Sequence, residues 1–539
     1  MLYYSVFLTA LFISMVLVAA MMRLAPQLGL VDIPDHRKLH VETIPRVGGI
    51  GIACGSVLAA VLWLDLNRDI LLLLGGMITI AIFALLDDRL DLNYKVKFAG
   101  QLAAALLVVV PGNVLIDHLS LQDQLSLPHY VSVPLTVVFL IGMTNATNLS
   151  DGLDGLAAGL SILSLSCLIV LAAIAGSSTT FILMALTIIG ATLGFLRYNT
   201  HPAMVFMGDT GSQFLGFSLG VLAVWLSQKV NTAISPELPL VVMGLPIVDT
   251  LLVMTQRILR GRSPFLPDRT HFHHRLLDLG FDHYQVVLAI YAIQASFVAS
   301  AYFFRYESTL AILGFYAFGV VLIAGLHPLA QRFGWQFNSN KHGGLSSFSS
   351  IMLRTKTPIA GLTYVLITSM IGAYQLGAIA VSAPLAGEIL PLCLAISLCA
   401  VACRVLRLSM ATAFIRLAIY SCALLAAYVG IFEPSFAESL DQMWHYAYFG
   451  LLMVLIGVGM RISGESHFHL TPSDYLMMAA LITAANLPIL KDPRYSQLTM
   501  EAAVILYGIE YVLNREGIGK DILLGLAMLS VLAFGVRVI

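Results

Sequence analysis

The sequence predicts an all-α fold, a polytopic transmembrane helix bundle, and three observations predict it. Of its 539 residues, 59% are hydrophobic and 11% charged, and the mean hydropathy of +0.89 lies far outside the range of a soluble domain. Apolar runs of roughly 18 to 22 residues, long enough to cross a ~30 Å hydrocarbon layer as helices, recur from the first residues to the last. Between them the polar residues gather in short clusters at span ends. About 11 spans are expected up to residue 328 and about 6 after it.

Taken in order, the opening run MLYYSVFLTALFISMVLVAAMM lacks a basic leader and a small-residue cleavage site, so it is expected to be a retained first span. The next runs alternate between two sets of connections. One set holds Arg23, Arg37, Lys38 and Arg46, then Arg89, Lys95 and Lys97, then Arg197, then Arg257, Arg260, Arg262, Arg269 and Arg275; the other holds only Arg68, Lys229 and Arg305. The positive-inside rule makes the first set cytoplasmic and puts the amino terminus outside. Residues 329–357, rich in Ser, Gly and Asn, are expected to be a polar cytoplasmic linker between a membrane domain at 1–328 and an accessory transmembrane bundle at 358–539. The net charge of −1 gives no electrostatic case for nucleic acid as a partner. Cys54, Cys167, Cys393, Cys399, Cys403 and Cys422 lie in or beside apolar runs without metal-ligand spacing and read as small core residues.

Five polar clusters fall on the cytoplasmic side. In LLDDRLDLNYKVKFAGQ, Asp87 and Asp88 close one span and Lys95 and Lys97 open the next; capping and snorkelling would account for them, and so would phosphate and divalent-metal binding. NATNLSDGLDG carries Asn145, Asn148, Asp151 and Asp154. A helix cap explains one or two of these, and Asn145 is expected to be that cap. The remaining acids near hydrocarbon need a cation or polar partners. In VFMGDTGSQFLGF, Asp209 opens a span between Gly208 and Gly211. Asp249 lies inside an apolar run behind Pro246, an intramembrane acid and therefore a functional candidate. Lastly, DRTHFHHRLLDLGF brings His271, His273 and His274 among Arg269 and Arg275. Zinc is a tempting reading, but with no cysteine and several cations nearby, an anion-binding loop suits the composition better.

Carboxylate and amide ligands favour Mg²⁺ or Mn²⁺. A hard cation with Lys, Arg and His on one membrane face is the equipment of phosphoryl transfer. The residues alone thus point to a metal-dependent phosphotransferase joining a nucleotide-activated group to a membrane-bound acceptor.

The five motifs RKLHVETIPRVGG, LDDRLDLNYKVKFAGQ, NATNLSDGLDGLAAG, VFMGDTGSQFLGF and DRTHFHHRLLDLGF, in this order over about residues 1 to 330, resemble those of the polyprenyl-phosphate N-acetylaminosugar-1-phosphate transferases. The resemblance implies attack by undecaprenyl phosphate on the β-phosphate of a UDP-amino sugar, most simply UDP-N-acetylglucosamine, in a bacterial inner membrane with the site facing the cytoplasm. The lipid diphosphate sugar formed would start O-antigen or a similar surface polysaccharide. It further implies Asp209 and Asn148 as ligands of Mg²⁺ (or Mn²⁺), with Asp87, Asp88, Asp151 and Asp154 as catalytic carboxylates. Lys97, Asp249, Arg269, His271, His273 and His274 would bind substrate, and Arg37, Lys38, His40 and Arg46 would help close the site. Implied partners are the two substrates, the membrane, a second copy of the chain and later glycosyltransferases of the pathway. Three consecutive histidines typify the branch that serves peptidoglycan with UDP-N-acetylmuramoyl-pentapeptide, and here Phe272 interrupts them, so that assignment is the runner-up. A rival of another class, an ion-coupled transporter or flippase, would hold its acids near mid-membrane on broken helices. Beyond residue 358 the resemblance finds no counterpart.

Overall fold

The computed structural model describes residues 2–33, 43–119, 125–176, 179–261, 263, 270–333, 356–381, 389–405, 411–432, 442–463, 493–514 and 519–536. These form two compact units, one within Val6–Ser339 and one within Asn340–Leu470 and Met477–Ile539.

Helix dominates because lipid offers the backbone no partners and a helix satisfies its own N–H and C=O groups. Nine described helices are long and apolar enough to cross a membrane, eight of them between Leu2 and Ala330; the chain is a multi-pass membrane protein. In the first unit α1 (Leu2–Leu28), which belongs to it from Val6 onward, leads into a two-residue antiparallel ladder, β1 (Val31–Asp32) with β2 (Ile44–Pro45), then α2 (Gly48–Trp63), α3 (Arg68–Leu90) and α4 (Tyr94–Val109). A second short ladder, β3 (His118–Leu119) with β4 (Leu125–Ser126), precedes α5 (His129–Leu149), α6 (Leu156–Ile174), α7 (Thr179–Asn199) and α8 (Gly208–Trp225), which runs on as a π-turn over Leu226–Val230. After these come α9 (Leu238–Val242), α10 (Gly244–Leu259), the short α11 (Phe272–Asp278), α12 (His283–Phe303) and α13 (Thr309–Arg332). Eleven of these described helices have 16 or more residues.

The core sits around α8, which packs on α2, α3, α5 and α6 with Phe214 and Phe217 buried. Among lipid tails there is little hydrophobic drive between helices, so close packing and interhelical hydrogen bonds hold them. Two local devices fix the helices that carry the site. The α3–α4 turn is closed by Asp91 in the left-handed region (φ 47°) and by Asn93, whose side chain accepts from Lys95 N at 3.1 Å. At the break between α9 and α10, Gln294 of α12 donates to Val242 O (2.8 Å) and Ser164 Oγ (3.0 Å) and accepts from Leu245 N (3.1 Å). One buried amide therefore satisfies the backbone groups that the broken helix releases in the membrane.

The second unit comprises the helices Lys356–Val381, Ile389–Val405, Ala411–Phe432, Gln442–Ser463, Pro493–Leu513 and Gly519–Val536. Inside it Glu501 accepts from Gln497 Nε2 (2.8 Å) and Tyr374 OH (3.3 Å) and pairs with His445 Nε2 at 2.6 Å. Cys167, Cys403 and Cys422 are buried.

Candidate active site

A cavity of about 680 Å³ opens where the ends of α3, α5 and α8 meet, within the usual range for a small-molecule site. Of the residues singled out from sequence, Asp88, Asn148, Asp151, Asp154, Asp209 and His274 line it.

Asp209 is the hub. The α3–α4 turn sets Lys97 one turn into α4, where its Nζ lies 2.6 Å from Asp87 Oδ2 and 3.8 Å from Asp209 Oδ2. The other Asp87 oxygen accepts from Leu92 N at 2.8 Å, tying the carboxylate to the turn that carries it. From α5, Asn148 Nδ2 donates to Asp209 Oδ1 (3.1 Å) and to Ser212 Oγ (2.8 Å). Gln213 Nε2 reaches Asp209 Oδ2 at 3.3 Å, and its Oε1 accepts from Gln101 Nε2 at 3.1 Å. Gln101 in turn exchanges hydrogen bonds with Asn145, at 2.9 and 3.3 Å.

One sequence expectation is corrected here. Helix α5 runs to Leu149, so Asn145 is not a cap. It is a helical side chain that clasps α4, in the manner of the interhelical hydrogen bonds of membrane bundles. The acids at the end of α3 also have different tasks. Asp88 accepts from Asp209 N (2.8 Å), Thr210 N (2.8 Å) and Thr210 Oγ1 (2.6 Å), so both its oxygens cap the amino terminus of α8. Gly208 must be glycine for this: its φ is +70°, and a Cβ there would lie 2.7 Å from Asp88 Oδ2.

Asp151, in the turn between α5 and α6, accepts no side-chain hydrogen bond from the described residues and stands among Asp209, Asp154 and Asp88. Burial first, then those three charges, push its pKa up to about 7. A carboxylate with no donor, beside the half-exposed Asp209, has the chemistry of a hard divalent-cation site with oxygen ligands.

The histidine segment closes over this turn. Asp249 of α10 pairs with His271 Nδ1 (2.8 Å) and accepts from Phe272 N (2.8 Å). Both its oxygens are thus engaged, and Asp249, expected from sequence to bind substrate, does not line the cavity. Its place is behind His271, orienting the segment. His273 is buried against Gly152, where a Cβ would come within 2.3 Å of its Nε2. Burial, and next the neighbouring His274, lower the His273 pKa to about 3, so it is neutral at physiological pH. Only His274 of the three is on the cavity wall. Arg275 donates to Thr270 O and Gln256 Oε1, both at 2.7 Å, and so braces the segment. Arg46 also lines the cavity, paired with Asp32. Arg269, Arg37, Lys38 and His40 lie outside the described residues.

Sequence reasoning passed over Gln101, Thr210, Ser212, Gln213 and His201. The first four stand inside the quoted motifs as polar residues of apolar helices, a signal that could have singled them out.

A family model described as glycosyl transferase family 4 matches residues 70–227, the stretch that contains Asp87, Lys97, Asn148, Asp151 and Asp209. Over 301 residues, 55% of this chain and 83% of the relative, the chain is 40% identical to a probable undecaprenyl-phosphate N-acetylglucosaminyl 1-phosphate transferase of Bacillus subtilis. The chain belongs to glycosyl transferase family 4. Further relatives are a decaprenyl-phosphate N-acetylglucosaminephosphotransferase of Mycolicibacterium smegmatis, 35% identical over 57% of this chain and 84% of the relative, and an undecaprenyl-phosphate alpha-N-acetylglucosaminyl 1-phosphate transferase of Escherichia coli O157:H7, 31% identical over 52% and 77%. Asp249 and the histidine segment fall beyond the stretch that the family 4 model matches.

Proposed function

We propose that this family 4 transferase moves N-acetylglucosamine 1-phosphate from UDP-N-acetylglucosamine to undecaprenyl phosphate at the cytoplasmic face of a bacterial inner membrane, releasing UMP and starting a lipid-linked surface polysaccharide. The observation that carries the reading is Asp209 and Asp151 together on the wall of one cavity, Lys97 Nζ lying 3.8 Å from Asp209 and Asp151 accepting no side-chain hydrogen bond from the described residues. The names of the relatives supply the acceptor and the transferred group. Clustering of the acids at helix ends supports a transferase over a transporter that holds its acids on broken helices at mid-membrane.

In this reaction an oxygen of the lipid phosphate attacks the β-phosphorus of the UDP-sugar. The bond from that phosphorus to the oxygen bridging the two phosphates breaks, and UMP leaves with the bridging oxygen. A phosphate dianion is nucleophilic near neutral pH and needs no carboxylate base. Asp209 and Asp151, with the amide of Asn148, would hold Mg²⁺ or Mn²⁺; the ion would supply charge neutralisation of the diphosphate. Lys97, kept protonated and aimed by Asp87 and Asp209, draws phosphate oxygens to the site. Asp88 keeps the first turn of α8, and with it Asp209, in position. His274 faces the cavity as a donor to the nucleotide sugar.

A panel of UDP-sugars tests the reading with the purified chain, undecaprenyl phosphate and Mg²⁺. UMP release should be fastest with UDP-N-acetylglucosamine, and Asp209→Ala should abolish it. Equal turnover of UDP-N-acetylmuramoyl-pentapeptide would reassign the substrate, and full activity of the Asp209 variant in EDTA would refute the metal role.

A further inference from the structure

Three side chains from separate parts of the chain meet on the cavity wall: Asp154 from the α5–α6 turn, His201 from the α7–α8 connection and His283 from the first position of α12. His201 Nδ1 lies 2.6 Å from Asp154 Oδ2. The two imidazoles stack with centroids 3.9 Å apart and planes 18° from parallel. One ligand atom from each residue lies within 4.8 Å of those of the other two.

The surrounding hydrogen bonds hold this trio in place. Asn199 accepts from Gly155 N (2.8 Å) and donates to Val205 O (2.8 Å), which ties the α5–α6 turn to the loop that carries His201. Ala203 N donates to Asp154 Oδ2 at 3.1 Å and Tyr284 OH to His201 O at 2.9 Å. A capping box of Asp282 and Gln285 fixes the start of α12 and so the backbone of His283.

We propose that Asp154, His201 and His283 form a second metal site, one for a borderline transition ion such as Zn²⁺, separate from the hard-ion position at Asp209 and Asp151. Two imidazoles with one carboxylate make a donor set that favours Zn²⁺, Co²⁺ or Ni²⁺ over Mg²⁺, which keeps to oxygen ligands and water. Bonds of about 2.0–2.1 Å set tetrahedral ligand atoms roughly 3.3 Å apart, so the His201–Asp154 contact has to open by less than about 1 Å. With three protein ligands the ion keeps a position open toward the cavity. Zn²⁺ held there would take room in the cavity and inhibit the transferase, a consequence that rests on the proposed function; the binding itself does not.

Co²⁺ serves as the spectroscopic probe, added to the full-length chain in detergent after chelator treatment. One Co²⁺ per chain should bind with visible absorption that survives millimolar Mg²⁺ and is displaced by Zn²⁺. His283→Gln and His201→Asn should each weaken it by about tenfold or more, while His274→Gln leaves it intact. Unchanged Co²⁺ binding in either of the first two variants, when its melting temperature matches that of the parent, would overturn the assignment. So would complete displacement by Mg²⁺.

Discussion

At the residue scale the site depends on how its acids are paired: Asp87, Asp88 and Asp209 each accept from named donors, while Asp151 accepts no side-chain hydrogen bond from the described residues. Lys97 Nζ lies 2.6 Å from Asp87 and 3.8 Å from Asp209. Lys97→Gln removes the charge and leaves a polar side chain, so kcat should fall by about 10²- to 10³-fold, the usual cost of losing one preorganised stabiliser of developing charge; steady-state UMP release measures it. Asp151 gives a pH signature. Its folded pKa of about 7 exceeds the unfolded carboxylate value of about 3.9, so the folded chain holds a proton that the unfolded chain has lost. The stability from that proton is fully present below about pH 4 and is lost as pH rises through about 7. Divalent cations compete with the same proton, so the Mg²⁺-induced rise in melting temperature should grow through pH 7 and level off above it, and Asp151→Asn should flatten this dependence.

At the element scale, the turns rather than the spans determine the geometry. Gly152 lets the histidine segment lie on the α5–α6 turn. Gly152→Ala should displace His273 and lower kcat/KM by about tenfold or more, with a stability loss of about 1–3 kcal/mol from overpacking; Gly142→Ala on the same helix bundle, where a Cβ meets nothing within 4 Å, is the control. These turns also mark what the sequence made legible. Apolar run length predicted the helices because a span must cover the hydrocarbon layer and satisfy its own backbone. The acids at the ends of α3, α5 and α8 stood out because charge near lipid is expensive. Their division of labour did not: that Asp88 caps α8 while Asp87 pairs with Lys97 depends on which carboxylate faces the neighbouring helix, and adjacent residues in a helix point about 100° apart. Asn145 reads as a cap in the sequence because α5 continues past the apolar run, its last two turns held by Asn145 on α4 and Asn148 on α8. Asp249 stands out in the sequence as an intramembrane acid, but its partners, His271 and Phe272 N, come from more than twenty residues away and are not legible there.

At the scale of the whole molecule, the residues of the candidate site lie within Val6–Ser339, whereas the unit within Asn340–Ile539 has its own buried ionisable pair in His445 and Glu501. On this account the second unit is accessory to the chemistry. When residues 1–339 and 340–539 are produced as separate chains, sugar phosphate transfer should follow the first; transfer only when both are present would make the second unit part of the enzyme.

The central claim is that sugar and phosphate move together onto the lipid. UDP-N-acetylglucosamine labelled with ³²P in its β-phosphate and with ³H in its sugar tests this most directly, with the purified chain, undecaprenyl phosphate and Mg²⁺. The account predicts both labels in the lipid at the ratio of the donor, with unlabelled UMP released in equal amount. ³H in the lipid with ³²P remaining in UDP, or neither label in the lipid, would contradict it.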